Sequence, residues 1–410
     1  MNAGVSLLLL LSVIPSAAAL AQDSTRRARD SAAVADSLAL MRELTAATAA
    51  PAAMAPRQPG AANPRLLPDL SAVGDLIGDL SRTGSTQEGG QRFSIREVEV
   101  AIQAAVDPYF RGDIYLGFSD EEGVAIEQAY LTTTSLPWGL EARMGRFLMP
   151  LGKQNTTHRH DLHTIEYPFV LQRFLGPEGL KGTGIYLSKV LAPFGFYQEL
   201  QVTATDQFGE ADESLITEEP INTRLANLGY SARLRNYFDL TRHANIEVSG
   251  SVATGKRAQP VTGLGDVTAV PVRQTVFGVD VTYRWRPLQQ GLYRSLIVQG
   301  EWLRQVNGRY DPPPAASYGG PSRDLSGGYL FARYQVSRRG YLGARFDRLA
   351  DPETGGGRLA AASAYYQFFP SEFSKLLFGY ERASAVGESA YGRILVQATF
   401  ALGPHRPHPF

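Results

Sequence analysis

The 410-residue sequence contains no cysteine, which excludes a disulfide framework and any metal site built on thiolates. It also contains no run of about 18 or more apolar residues, which excludes an ordinary helical membrane protein. Basic and acidic residues are equal in number, 40 of each, so we expect no nucleic-acid partner. No G-x-S-x-G elbow and no phosphate-binding glycine motif ahead of a helix is found. The sequence therefore predicts no enzyme and no catalytic residues.

The first 66 residues are expected to lie outside the main fold. Val5 to Ile14 form a short apolar run, and Ala19-Leu20-Ala21 follows it as a small-x-small pattern. Residues 1–21 therefore predict a signal peptide that is cleaved after Ala21. Residues 22–66 are rich in alanine, charge and proline, and they predict a periplasmic extension. This extension is either a disordered tether or contains a short helix over residues 31–44.

From residue 67 onward, apolar and polar residues alternate in segments of about ten residues, the length that a tilted strand needs to cross the hydrocarbon layer. In residues 98–106 the even-numbered positions are apolar, and Glu99 and Gln103 lie on the other face. The same alternation recurs in residues 110–118, 274–285, 295–302 and 393–400. One face is nearly free of charge, which indicates contact with lipid on one side and a wetted lumen on the other. The sequence predicts an all-β fold, a closed antiparallel transmembrane β-barrel over residues 67–410.

Connections alternate in length along the barrel. Short turns are expected at Asp107-Pro108, Ser135–Pro137, Ala192–Gly195, Ser337–Gly340 and Pro370-Ser371, and longer loops at about 81–91, 148–181, 206–220, 255–271 and 305–326. Aromatic residues gather beside the short turns, as in an interfacial aromatic girdle. The segments number about sixteen, an even count that fits a closed single-chain barrel, with fourteen or eighteen as alternatives.

The third long loop, residues 148–181, is the longest connection and is expected to carry the function. It follows the fifth strand, a position that resembles that of the porin loop that folds into the lumen. We expect six of its side chains to line a pore constriction: Lys153, His158, Arg159, His160, His163 and Arg173. The lumen wall is expected to carry charges of both signs: Asp75, Arg111, Asp113, Arg143, Asp280, Arg284 and Glu301.

The segment GRFLMPLGKQN, from Gly145 to Asn155, is similar to the strand-to-loop passage of outer-membrane porins in which GxFxxPxG recurs. Together with the signal peptide, the proline-rich spacer and the long third loop, it makes most of residues 67–410 resemble the phosphate-selective porin (O/P-like) family. The resemblance implies a water-filled channel. In that family a lumen lined by lysine and arginine is tied to phosphate selectivity, whereas the lumen expected here mixes both signs. Anion selectivity is therefore not carried over. The terminal Phe410 resembles the signal that the outer-membrane assembly machinery recognises.

His158, His160 and His163 are three of the six histidines in the chain. An H-x-H spacing on extended backbone places alternate residues on one face, and neutral imidazole is a common metal ligand. One hypothesis is that these three histidines, with Asp161 or Glu166, bind Zn²⁺ or another divalent ion. The other is a polar loop that is hydrogen bonded to the lumen wall and binds no cofactor.

The sequence thus predicts a channel for passive diffusion of small hydrophilic solutes or ions across the bacterial outer membrane. Its expected partners are the lipid bilayer, lipopolysaccharide and the assembly machinery, and a homotrimer would be usual for the porin class. A closed barrel with a metal- or ligand-binding loop is the alternative function, and a barrel enzyme is the weaker alternative.

Overall fold

The computed structural model describes residues 68–87, 89–120, 123–209, 216–217, 224–262, 267–307, 324–352, 357–387 and 389–403. The predicted signal peptide, the extension of residues 22–66 with its helix over 31–44, and Phe410 lie outside the described residues. Within the described part of the chain, no helix is both long and apolar enough to pass through a membrane.

Sixteen long antiparallel strands form one sheet in the described ranges, which confirms the predicted number. They are β1 (Asp69–Asp79), β2 (Phe93–Ala105), β3 (Phe110–Ser119), β4 (Gly123–Thr133), β5 (Leu140–Leu148), β6 (Lys181–Leu191), β7 (Tyr197–Thr205), β9 (Gly229–Thr241), β10 (Ala244–Thr262), β11 (Val267–Trp285), β12 (Leu296–Asn307), β13 (Asp324–Gln335), β14 (Gly340–Asp351), β15 (Gly357–Ser371), β16 (Ser374–Ala385) and β17 (Tyr391–Leu402). A two-residue strand, β8 (Ile216–Thr217), lies between β7 and β9 and pairs in parallel with β11. In the described residues between β5 and β6, two 3₁₀ turns, Gln154–Thr156 and Arg159–Asp161, precede one α-helix, α1 (Phe169–Leu175).

The sheet is closed because its first strand pairs with its last. β1 pairs with β2 on one side and with β17 on the other, in a register that runs from Ala72 opposite Leu402 to Asp79 opposite Leu395. A closed sheet leaves no unpaired edge, so the strand backbone can satisfy its N–H and C=O groups without water. The predicted closed antiparallel β-barrel is confirmed.

The two faces of the strands differ as the alternation predicts. On β3, Ile114 and Phe118 are 40% and 38% exposed, whereas Asp113 and Tyr115 are 0% and 1% exposed. On β11, Phe277 and Val279 are exposed while Asp280 is buried. The exposed face is therefore apolar and the enclosed face carries the charges. This is the arrangement of a barrel that crosses a lipid bilayer.

Aromatic side chains are exposed at the end of the barrel where the short turns lie. They include Tyr109, Trp138, Phe194, Tyr293 and Phe373, all more than half exposed. Trp138 also has the one positive φ of a non-glycine residue in the described ranges, 61°, within the turn Pro137–Gly139. Amphipathic rings at this level fit the boundary between hydrocarbon and water.

The predicted loop over residues 255–271 is wrong. β10 continues to Thr262 and β11 begins at Val267, with Thr262 paired to Val267. Beyond Thr254 and before Gln274, these two strands no longer pair with β9 and β12. Pro260 and Pro271 lie in this two-stranded extension, where one side of each strand has no long neighbouring strand. Proline has no backbone N–H to donate, and at such a position the loss of that hydrogen bond costs little stability.

Candidate functional site

Residues 149–180, which we call the inward loop, pack against the inner face of the barrel. Their apolar residues form a buried cluster with inner-face residues of the wall. The loop contributes Met149, Leu151, Ile165, Phe169, Val170, Leu171, Phe174, Leu175 and Leu180, and the wall contributes Ala253, Val276, Leu303, Leu325, Leu349, Leu359, Leu377 and Leu395, among others. Each large apolar side chain removed from water stabilises the packed loop by about 1.5–3 kcal/mol. Apolar packing therefore holds the inward loop against β10 to β17.

Charged wall residues bind the main chain of the inward loop from several strands. Lys375 on β16 donates hydrogen bonds to the carbonyl oxygens of His160 and Leu162, at 2.5 and 3.2 Å. Arg345 on β14 donates to the carbonyl oxygen of Glu166 at 2.6 Å. On β12, the Glu301 carboxylate accepts from the N–H groups of Lys153 and Gln154. These contacts fix the loop's path across the interior.

The residues of the GxFxxPxG segment have steric roles where the inward loop begins. Gly145 has a φ of 139°, and a Cβ there would collide with the carbonyl oxygen of Ala129 on β4. Phe147 is 2% exposed and packs edge-on against Tyr186. Gly152 has a φ of 61°, and a Cβ there would lie 3.0 Å from the Glu301 carboxylate. The segment turns the chain from β5 into the barrel.

Two polar cavities lie beside the inward loop. Cavity 1, of about 260 Å³, opens among the long loops and is lined by Gln87, Arg96, Glu97, Glu127, Arg159 and Glu178, among others. Cavity 2, of about 90 Å³, is lined by Tyr130, Arg143, Tyr186, Glu199, Arg233 and Arg235, among others. Leu148 and His158 line both cavities. The two spaces therefore approach each other at the point where the inward loop leaves β5.

His158 and His160 lie together against Glu99 of β2. Nδ1 of His158 is 2.6 Å from Oε2 of Glu99, and Nδ1 of His160 is 3.9 Å from the same oxygen. Burial alone would lower the pKa of His158, but the Glu99 carboxylate outweighs burial and raises that pKa to about 9. Burial lowers the pKa of His160, although Asp161 and Glu99 oppose it. The two neighbouring rings therefore differ in their affinity for a proton.

The structure places His163 apart from the other two histidines. Its ring lies 6.1 Å from that of Phe331, and its Nδ1 is 3.1 Å from Nη1 of Arg333. Burial and the Arg333 charge hold the pKa of His163 well below its usual range. The positive charge of this guanidinium also disfavours binding of a metal cation at His163. The structure therefore does not bring the three predicted histidine ligands together.

The three basic residues predicted at the constriction have different surroundings. Arg159 lines cavity 1 and donates a hydrogen bond to the carbonyl oxygen of Pro177 at 3.3 Å. Lys153 is 7% exposed, with Nζ 3.3 Å from the Glu247 carboxylate. Arg173 lies on α1, with Nε 3.9 Å from the Asp351 carboxylate. Only Arg159 among these three is a lining residue of the two cavities.

All seven residues predicted to line the lumen wall lie on the inner face, where they contact opposite charges or main-chain N–H groups. The pairs are Asp75 with Arg96, Arg111 with Asp113, Arg143 with Glu141, Asp280 with Arg233, and Arg284 with Glu247, while Glu301 binds the inward loop. Pairing of this kind leaves no strong field of one sign inside the barrel.

Lys153 gives a testable pH dependence. Burial is the main reason why the pKa of Lys153 falls from 10.5 to about 8; Glu247 opposes the fall, and Arg235, Arg284 and Arg233 add to it. Between these two pKa values the unfolded chain binds more protons than the folded one, so stability rises with pH. We expect wild type to gain roughly 1–3 kcal/mol of unfolding free energy over this window relative to Lys153→Met.

Denaturant unfolding of both proteins in detergent, at a series of pH values through this window, measures the difference. Lys189→Met, which removes a partly exposed lysine from β6, serves as the control. An identical pH dependence of the unfolding free energy for wild type and Lys153→Met would contradict the lowered pKa of Lys153.

Several residues that position the inward loop were not predicted as site residues. They are Arg96, Glu99, Arg345, Asp347 and Lys375. Alternation places Glu99, Arg345, Asp347 and Lys375 on the inner face, whereas Arg96 reaches the interior because the pairing of β1 with β2 shifts register beside it. Which inner-face residues meet the loop depends on contacts between residues as much as 215 positions apart. No local pattern encodes such contacts.

Comparisons of the sequence with known proteins do not show the family of this chain. No protein-family model matches the chain. A protein of Aquifex aeolicus (strain VF5), called uncharacterized, is 29% identical over 344 residues, which cover 78% of this chain and 70% of that protein. The similarity to the phosphate-selective porin family therefore stays a prediction.

Solved outer-membrane proteins share the fold. The chain is similar to OmpT of Vibrio cholerae in its trimer form, with a TM-score of 0.53, 10% identity, and coverage of 82% of this chain and 99% of that one. The outer membrane channel DcaP of Acinetobacter baumannii has a TM-score of 0.53 and 12% identity, with coverage of 82% of this chain and 97% of that one. OprB of Pseudomonas putida has a TM-score of 0.54 and 10% identity, with coverage of 82% of this chain and 94% of that one. Because these sequence identities are low, the similarities show the barrel fold alone.

Proposed function

We propose that this protein is a porin-like channel of the bacterial outer membrane. Small hydrophilic solutes or ions diffuse through its lumen, which the inward loop narrows. The closed barrel, with its apolar outer face and charged inner face, supports a pore in preference to an enzyme. The shared fold with an outer membrane channel supports it as well.

The observation that carries the proposal is the position of the two cavities. Cavity 1 opens at the long-loop end, and cavity 2 lies against the wall strands β4 to β9. The inward loop packs on the opposite wall through its apolar cluster, so polar space is kept next to β2 to β9. A route that joins the two cavities past Leu148 and His158 is the path we propose for solutes.

The charges along this route favour small polar solutes without a strong preference for one sign. Cavity 1 is lined by Arg96, Arg159 and Arg393 and by Glu97, Glu127, Glu166 and Glu178. Cavity 2 is lined by Arg143, Arg233 and Arg235 and by Glu199. Rings and clusters of charge set pore selectivity, and mixed signs weaken it. We propose weak selectivity and a slight preference for anions in cavity 2.

We also propose that the chain forms a homotrimer in a bilayer that contains lipopolysaccharide, after insertion by the assembly machinery. The trimer form of OmpT, which has the same fold, supports this assembly.

Filling cavity 2 is expected to reduce conduction. Thr156 lies at its lining, on the inward loop. Thr156→Trp places a large aromatic ring in a space of about 90 Å³, so we expect the single-channel conductance to fall by roughly half or more. Planar bilayer recordings of the purified protein measure this change.

Thr134→Trp provides the matched control, because Thr134 is exposed in the turn after β4 and lies outside both cavities. We expect its conductance to equal that of wild type. Inserted wild-type protein that leaves the bilayer electrically tight would refute the channel and favour the closed barrel with a ligand-binding loop.

A further inference from the structure

Three metal-ligating side chains converge beside the proposed route. Glu99, His158 and His160 each offer one ligand atom, and these atoms lie within 4.8 Å of one another. The three residues are 1%, 6% and 4% exposed. Two imidazole nitrogens and one carboxylate oxygen form a donor set that suits Zn²⁺ and related divalent transition ions.

The spacing of these atoms fits an ion after small side-chain rotations. Bonds of 2.0–2.2 Å in tetrahedral geometry place two ligand atoms roughly 3.4 Å apart. The observed separations from Oε2 of Glu99 are 2.6 Å to His158 and 3.9 Å to His160, one below this value and one above it. An ion would take the place of the proton between Nδ1 of His158 and Glu99, and that proton is released to solvent.

Polar groups lie behind both imidazole rings. Nε2 of Gln128 is 2.5 Å from Nε2 of His158, and Oδ1 of Asp161 is 3.7 Å from Nε2 of His160. In metal sites, a ligating histidine typically directs its second nitrogen to a carboxylate or amide, which orients the ring and raises its basicity. Asp161 lies where such a partner of His160 would be, at 3.7 Å, whereas Gln128 directs its donor nitrogen to His158. A His158 ring that ligates through Nδ1 carries its proton on Nε2, so the Gln128 amide has to rotate for its oxygen to accept that proton.

The backbone that carries the histidines is fixed by the wall and by the loop itself. Lys375 binds the carbonyl oxygen of His160. The Tyr167 hydroxyl donates to the carbonyl oxygen of Thr157, directly before His158, at 2.6 Å. A site held in this way loses little conformational freedom when an ion binds.

We propose that Glu99, His158 and His160 bind one divalent transition-metal ion, with Zn²⁺ as its type, and that the bound ion hinders passage between the two cavities. His158 lines both cavities, so the ion has an entry path and an open position for water. The effect on passage rests on the proposed channel, whereas binding of the ion does not.

Binding is tested by isothermal titration calorimetry of the purified full-length protein in detergent, after treatment with a chelator. We expect one Zn²⁺ per chain for wild type and for the control His163→Ala. His158→Ala and His160→Ala should lose saturable binding. Wild type without saturable binding, or with binding unchanged in both His158→Ala and His160→Ala, would overturn the site.

A spectroscopic measurement on wild type alone covers the case in which a variant fails to fold. Co²⁺ bound by two imidazoles and a carboxylate in tetrahedral geometry gives visible absorption, and one equivalent of Zn²⁺ should abolish it. An absorption spectrum equal to that of Co²⁺ in buffer would refute the site.

Planar bilayer recordings separate the site from the channel. Zn²⁺ should lower the current of wild type and His163→Ala and leave His160→Ala unaffected. Zinc binding with an unaltered current would refute the effect on passage. Zinc binding by a protein that conducts no current would refute the channel and leave the metal site standing.

Discussion

Replacing Arg345 with alanine is expected to lower the free energy of unfolding of the barrel by about 3–5 kcal/mol, the cost of removing one partner from a buried ion pair. The Arg345 guanidinium is 0% exposed, and its Nε donates to Asp347 at 2.7 Å. It also contacts Glu381 and donates to the Thr164 hydroxyl and the carbonyl oxygen of Glu166 in the inward loop. Alanine leaves Asp347 without its cationic partner and the loop without one of its anchors.

The midpoint of thermal or denaturant unfolding in detergent, followed by the gel mobility of the folded barrel, measures this loss. Arg348→Ala is the matched control, since Arg348 lies on the same strand, β14, and is exposed on the outer face. Its effect should stay within about 0.5 kcal/mol. Equal stability of the two variants would show that the ion pairs of Arg345 with Asp347 and Glu381 contribute nothing to the free energy of unfolding.

Removing the inward loop is expected to raise the single-channel conductance several-fold. Leu148 and Lys181 are paired directly across β5 and β6, so a hairpin turn of about two to five residues can replace residues 149–180 without altering the barrel. The shortened chain loses the apolar cluster inside the barrel and exposes wall residues such as Leu303 and Val276 to water. A larger lumen and a less stable barrel should therefore appear together.

Recordings in planar bilayers at one salt concentration measure the conductance. The matched control shortens the connection over residues 286–295 in the same manner, because Trp285 and Leu296 are also paired directly and Leu288, Leu292 and Tyr293 are exposed. The control should conduct as wild type does. A shortened inward loop with unchanged conductance would show that this loop does not narrow the passage.

The barrel itself could be predicted from the sequence, because alternation with a period of two marks the lipid face and the lumen face of each strand. The same logic failed at residues 255–271. Proline and glycine there are typical of a loop, but a strand pair whose outer sides have no long neighbouring strand tolerates both. Whether a strand has a neighbour on each side is a property of the whole sheet, and the local sequence does not contain it.

The candidate site could be predicted only in part. The H-x-H spacing indicated that His158 and His160 would act together, and the structure has both facing Glu99. It places His163 beside Arg333 of β13, between the buried residues Leu162 and Ile165. Lys153 carries a charge but is enclosed by Glu247 and by arginines of the wall. The path of a loop through a barrel depends on its anchors, which come from distant strands.

The pairing of β1 with β17 has a consequence for biogenesis. Until Tyr391–Leu402 has been added, both β1 and β16 present a full row of unbonded peptide groups, and the incomplete sheet cannot enter hydrocarbon at an acceptable cost. Maturation is therefore an all-or-none event that awaits the last strand. Chains that end before β17 should fail to insert into lipid bilayers and should be cleaved readily by added protease.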